Sequence, residues 1–118
     1  MLNIYKEAKF NANMKFEVFR TSRFEKEFFK LSKTEQTAIA KFEKKLAENP
    51  YAGKPLGYIF FREKKLNGRR IYYLVYEKFV IVLMVAVSDK KTQQATIDAI
   101  KQRLDEYYNF VRETLRKL

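Results

Sequence analysis

The chain has 118 residues, with 25 Lys and Arg against 14 Asp and Glu and a formal charge of +11. It contains no cysteine and no histidine, which excludes disulfides, thiolate metal sites, cysteine nucleophiles and the usual imidazole base. An apolar share of 47%, with 11 Phe and 8 Tyr, argues for a packed core, and so basic a small domain points to an anionic partner, nucleic acid first and an acidic protein next.

The longest apolar run, Phe79 to Val87, is far short of the roughly 20 residues a bilayer requires. Residues 1–13 lack the apolar core of a signal peptide. The expectation is a cytoplasmic protein without membrane segment, metal or cofactor, forming a single domain over 1–118.

Residues 1–13 have weak periodicity and read as an N-terminal extension, either a short helix or a disordered lead-in. Met14 to Arg20 alternates, with Phe16 and Val18 on one side and Lys15, Glu17 and Phe19 on the other, as in a first strand. Ser22-Arg23-Phe24-Glu25 has the form of a capping box, and Phe24, Phe28 and Leu31 place a helix over about 22–31. A second box, Ser32-Lys33-Thr34-Glu35, opens another helix with Ile39, Phe42 and Leu46 on its buried stripe. Asn49-Pro50 ends it. Helices joined this closely are expected to form an antiparallel hairpin.

Asn49 to Gly57 holds both prolines and two of the three glycines and reads as a shaped loop. Tyr58 to Leu66 and Arg69 to Tyr76 flank Asn67-Gly68, the residue pair a type I′ hairpin turn demands. Glu77-Lys78 makes a second turn, and Phe79 to Val87 has the β-branched composition of a central buried strand. After a cap at Ser88-Asp89, apolar residues from Ile97 through Ile100, Leu104, Tyr107, Val111 and Leu115 to Leu118 recur every three or four positions. They predict one helix of about 25 residues, roughly 40 Å long. A domain of this size has a radius of gyration of roughly 13 Å, so the helix end should project and meet a second copy of the chain or another partner.

The predicted fold is therefore α+β in the order β-α-α-β-β-β-α: an antiparallel sheet covered on one face by a helix hairpin, with a long C-terminal helix. A two-residue turn at Asn67-Gly68 sets Leu66 opposite Arg69, Lys65 opposite Arg70 and Glu63 opposite Tyr72. Alternation then puts Glu63, Lys65, Arg70, Tyr72 and Leu74 on one face and Arg62, Lys64, Ile71, Tyr73 and Val75 on the other. Ile71, Tyr73 and Val75 are the better core set. Glu63, Lys65, Arg70 and Tyr72 are thus expected to face outward, where a cation pair and an aromatic suit phosphate contact and base stacking. Arg62, Lys64 and Arg69 take supporting, phosphate-positioning roles.

The order of elements, the helix hairpin ending in Asn-Pro, the Gly-Lys-Pro-Leu-Gly loop at 53–57 and the run Gly68-Arg69-Arg70-Ile71-Tyr72-Tyr73 together resemble the RelE/ParE superfamily of toxin–antitoxin toxins. The resemblance covers about residues 14–97, leaving 98–118 as an extended C-terminal helix. It implies a metal-independent endoribonuclease that cuts mRNA on the ribosome, masked by a cognate acidic antitoxin. In that reading Arg70 stabilises the pentacoordinate phosphate, Lys65 holds the phosphate or helps activate the 2′-OH, Lys90 stands at the acid-like arginine, and Glu63 is a candidate base. Lys54 and Lys91 join Arg62, Lys64, Arg69 and Tyr72 as RNA-binding candidates. The sequence departs from the RelE pattern at Glu63, where a second catalytic lysine is usual, at Thr96 in place of a tyrosine, and at Leu56 in place of an arginine. The ParE branch, which lacks the nuclease residues and inhibits DNA gyrase, remains open on those departures, as does a catalytically impaired nucleic-acid-binding relative.

Overall fold

The computed structural model describes residues 15–117; the readings of residues 1–13, of Met14 and of Leu118 lie outside them. The elements are β1 (Glu17–Arg20), α1 (Ser22–Phe29), α2 (Lys33–Glu48), β2 (Lys54–Tyr58), β3 (Phe61–Leu66), β4 (Arg69–Tyr76), a 3₁₀ turn (Glu77–Phe79), β5 (Ile81–Ser88), α3 (Gln93–Lys101) and α4 (Leu104–Arg116). The α+β class is as expected. The five strands form one sheet in the order β1-β5-β4-β3-β2.

This sheet is mixed rather than antiparallel throughout. β2 to β5 follow one another through short turns and so alternate in direction, but β1 lies beside β5 and parallel to it, Val18 against Val82 and Arg20 against Met84. The helical connection after β1 is long enough to permit that orientation.

The expected loop at 49–57 also contains a strand. Lys54 pairs with Glu63 and Pro55 with Arg62, and after an irregularity Tyr58 pairs with Phe61. Proline is tolerated because β2 is an edge strand, where its missing N–H breaks no ladder. The expected strand Tyr58–Leu66 is accordingly cut by a turn at Ile59-Phe60.

The cap of α1 is Thr21 rather than Ser22. Phe24 N–H donates to the Thr21 hydroxyl at 3.1 Å, while Thr21 N–H still bonds the Met84 carbonyl, so one residue ends β1 and starts the helix. The second box forms as expected, with Glu35 N–H on Ser32 Oγ at 3.1 Å and Ser32 N–H on Glu35 Oε1 at 3.0 Å. Phe24 and Phe28 from α1 and Ile39, Phe42 and Leu46 from α2 pack on Ile71, Tyr73 and Val75 in one core.

The opposite face is covered too. Ile97 and Ile100 of α3 and Val111 of α4 pack on Phe61, Tyr72, Leu74 and Leu83 to make a second core. The single long helix is broken at Gln102-Arg103, where Arg103 N–H reaches the Ile100 carbonyl three residues back at 3.0 Å. A straight helix would overrun the sheet, since an eight-residue strand such as β5 is only about 26 Å long. The break returns the apolar stripe to its own domain, and Val111 is 2% exposed. The stripe therefore packs on its own sheet rather than projecting from it.

Candidate nucleic-acid interface

Asn67 (φ 50) and Gly68 (φ 83) are both left-handed, as a type I′ turn requires. They fix the pairs Leu66–Arg69, Lys65–Arg70 and Glu63–Tyr72. Extending these pairs across the sheet gives two neighbouring rows on one face. One is Lys65–Arg70–Ser88, and the other is Lys54–Glu63–Tyr72–Ala86. A bulge in β5, with Val85 as the extra residue between the partners of Tyr72 and Tyr73, brings Ser88 into the first row.

Glu63 is the hub. Its Oε1 lies 3.8 Å from Arg70 Nη1, and its Oε2 accepts from Gln93 Nε2 at 2.8 Å. Gln93 is the first residue of α3, so the helix that closes the second core also reaches into the site. Glu63 is 6% exposed and the Arg70 side chain 12%. The Arg70 Nε has no hydrogen-bond partner although it is buried. A guanidinium with a spare donor beside the exposed Lys65 and Lys54 is suited to an oxyanion.

Tyr72 does not face solvent. It is fully buried in the second core, because α3 and α4 cover the face that the sequence left open, and it has no surface for base stacking. Its hydroxyl lies 2.8 Å from Ser88 Oγ, which donates to the Asp89 carbonyl at 3.0 Å. The single Ser88 proton is thereby used, so Tyr72 is the donor in a chain Tyr72 to Ser88 to Asp89. Burial pushes the Tyr72 phenol above its ordinary value against the opposing pull of Ser88, which keeps it a neutral donor.

Three further cations have other partners. Arg62, 8% exposed, spends its guanidinium on the backbone carbonyls of Tyr51, Gly53 and Ile59 at 2.6–3.2 Å and so clamps the chain on both sides of β2. Arg69 Nε donates to Glu35 Oε2 at 2.7 Å, tying the hairpin to α2. The Lys64 amine sits 5.8 Å from the Phe42 ring centroid. Lys64 and Arg62 pair with Ile71 and Tyr73 and belong to the α2 side of the sheet. Of the expected set, the structure brings together Lys54, Glu63, Lys65 and Arg70 and sets Arg62, Lys64 and Arg69 apart from them.

Lys90 and Lys91 are exposed on the turn after Ser88. That turn is fixed by Asp89, whose Oδ1 accepts from Thr92 N–H at 2.9 Å and Thr92 Oγ1 at 3.0 Å; those bonds hold its carboxyl below the usual range. Thr96 is 6% exposed, its hydroxyl spent on the Thr92 carbonyl, and Leu56 packs on the second core. Gln93 and Ser88 were missed as members of the site. Ser88 depends on the bulge and Gln93 on where α3 begins, and neither leaves a local mark in the sequence. Among the described residues no cluster of three or more metal-ligating side chains occurs, and no helix is long and apolar enough to cross a membrane.

No family model and no curated protein matches the chain. Solved structures do. An arginine double mutant of the Escherichia coli toxin RelE in the free state is 25% identical, with a TM-score of 0.65 over 75% of this chain and 98% of that one. RelE of the intact E. coli RelBE toxin–antitoxin complex is 27% identical, with a TM-score of 0.57 over 63% and 95%. The chain is RelE-like. An archaeal RelE–RelB complex from Pyrococcus horikoshii repeats the fold at 18% identity and a TM-score of 0.58, over 65% and 97%. The RelE-like match thus takes in nearly the whole of each neighbour, while a substantial part of this longer chain lies outside it.

Proposed function

We propose that this RelE-like chain is the toxin of a toxin–antitoxin system and an endoribonuclease that cuts mRNA on the ribosome. The observation that carries the reading is the Lys65–Arg70 pair, directly opposed across the Asn67-Gly68 hairpin, with the Arg70 side chain largely enclosed and one of its donors unused. In the reaction, the ribose 2′-oxygen attacks its own 3′-phosphorus while losing its proton. The bond to the 5′-oxygen breaks, that oxygen takes up a proton, and the products are a 2′,3′-cyclic phosphate and a 5′-OH. The Arg70 fork stabilises the doubly charged equatorial oxygens. Lys65 holds the phosphate from the facing strand, and Glu63 is positioned to take the 2′-proton once substrate draws Arg70 toward the phosphate. Lys90, exposed beyond Ser88, is assigned to the leaving 5′-oxygen. Lys54 and Lys91 hold flanking phosphates. An acidic antitoxin complements the +11 charge.

One observation favours a second reading, a non-nuclease inhibitor of the ParE kind acting on DNA gyrase. Glu63 pairs with the very arginine the chemistry needs and is held there by Gln93. Expression in a bacterial host separates the two. The nuclease reading predicts growth arrest with blocked translation, relieved by Arg70→Ala at equal protein level. Arrest with translation spared and supercoiling blocked would establish the second reading instead.

A further inference from the structure

Glu63 and Arg70 are enclosed between the sheet and α3, yet Glu63 Oε1 stops 3.8 Å from Arg70 Nη1. A charge-assisted hydrogen bond would close to about 2.7–2.9 Å, and the buried Arg70 Nε has no hydrogen-bond partner. Elsewhere in the molecule the same pairing does close. Arg20 grips Glu43 through Nε at 2.8 Å and Nη2 at 2.6 Å, and Arg69 Nε reaches Glu35 at 2.7 Å. What differs at Glu63 is the other oxygen of the carboxylate. Oε2 accepts from Gln93 Nε2 at 2.8 Å, a full hydrogen bond that pulls on the same side chain.

Gln93 is well placed to keep that hold. It opens α3 directly after the turn that Asp89 fixes through Thr92. Ile97 and Ile100, four and seven positions on, share its helix face and are buried in the second core. Glu63 is set by its pairing with Tyr72 on one side and Lys54 on the other. Both ends of the Gln93–Glu63 hydrogen bond thus stand on backbone locked by packing. Arg70 is left with a carboxylate near enough to offset the cost of burying its charge, but not so near that its fork is used up.

We infer that Gln93 is a positioning residue: it holds Glu63 off Arg70 and so keeps the arginine fork open for the substrate phosphate. A fork matched bidentately by its own carboxylate would have to break both bonds before an oxyanion could enter. That the oxyanion belongs to mRNA rests on the function proposed above; the restraint itself rests on the three side chains.

The test is a titration with inorganic phosphate, followed on the ¹⁵N–¹H signal of Arg70 Nε, in wild type, Gln93→Leu, Glu63→Gln and the double variant. Gln93→Leu changes no charge. It should let Glu63 close on Arg70, move the Nε–H signal before any phosphate is added, and weaken phosphate binding about tenfold, the worth of one hydrogen bond to a charged group. In the Glu63→Gln background no carboxylate is left to close, and the same change should alter binding by less than about twofold. Gln93→Asn, too short to reach Glu63, should behave as Gln93→Leu, and amide spectra check that every variant is folded. Equal phosphate binding by wild type and Gln93→Leu would overturn the inference. So would a loss of the same size in both backgrounds, which marks a merely structural role, or wild-type binding that survives Arg70→Ala. If wild-type protein leaves mRNA intact on ribosomes while Gln93→Leu still loses phosphate only in the Glu63 background, the nuclease reading fails and the restraint stands. If mRNA is cut and phosphate binding does not move, the restraint alone fails.

Discussion

Glu63 and Arg70 show how burial changes the meaning of a charge. On an open sheet face their 3.8 Å separation would be a weak surface contact. Under α3 it is an enclosed pair, and Glu63→Ala should leave a guanidinium without its counter-charge at a cost of about 3 kcal/mol, read as a fall in the urea midpoint at constant slope. Arg62→Met should be destabilising for a different reason: it strands the carbonyls of Tyr51, Gly53 and Ile59, and loosening of this loop should appear as faster amide exchange across 51–59. The pair Glu35–Arg69 gives a pH test. Hydrogen bonds from Arg69 and from Ser32 hold the Glu35 carboxyl below its ordinary value of 4.5. The stabilisation is then complete above the unfolded value and is lost as pH falls through the lower folded value. Glu35→Gln should melt earlier than wild type at neutral pH and converge with it in acid. At this scale the sequence revealed who stands opposite whom, because Asn67-Gly68 sets the register. It did not reveal what covers Tyr72 or where Arg62 spends its donors, because those depend on distant segments folding over the hairpin.

Elements were legible where a local rule operates and illegible where tertiary packing decides. The box at Ser32, the stripe of α2 and the hairpin all follow from spacing. The cap at Thr21 rather than Ser22 reflects the competing demand of the Met84 carbonyl. Strand β2 hides behind a proline that only an edge position excuses, and the break at Gln102-Arg103 has no Gly or Pro to announce it. The hairpin permits a clean test of backbone conformation. Gly68 is at φ +83 with nothing within 4 Å of where a Cβ would stand, so Gly68→Ala should cost about 1 kcal/mol purely through the left-handed conformation. Gly53→Ala should cost more, since its Cβ would lie 2.7 Å from both the Glu63 carbonyl oxygen and the Tyr73 hydroxyl.

At the scale of the molecule, the RelE-like sheet lies between two helical layers, and the C-terminal layer does double duty. It buries the second core through Ile97, Ile100 and Val111, and through Gln93 it holds the acid of the site. Val111→Asp should therefore lower stability and, by loosening this layer, alter the site from a distance. The +11 charge is divided by the sheet, with Lys54, Lys65 and Arg70 on one side and the lysines of α2 with Lys64 on the other.

The proposed activity is the cutting of mRNA on the ribosome by Arg70 and Lys65. Primer extension on a defined mRNA, incubated with purified protein and programmed ribosomes, tests it most directly. Wild-type protein should produce new 5′ ends within codons, strongly reduced for Arg70→Ala of equal fold and concentration. Intact mRNA with wild-type protein on active ribosomes, or undiminished cutting by Arg70→Ala, would contradict it.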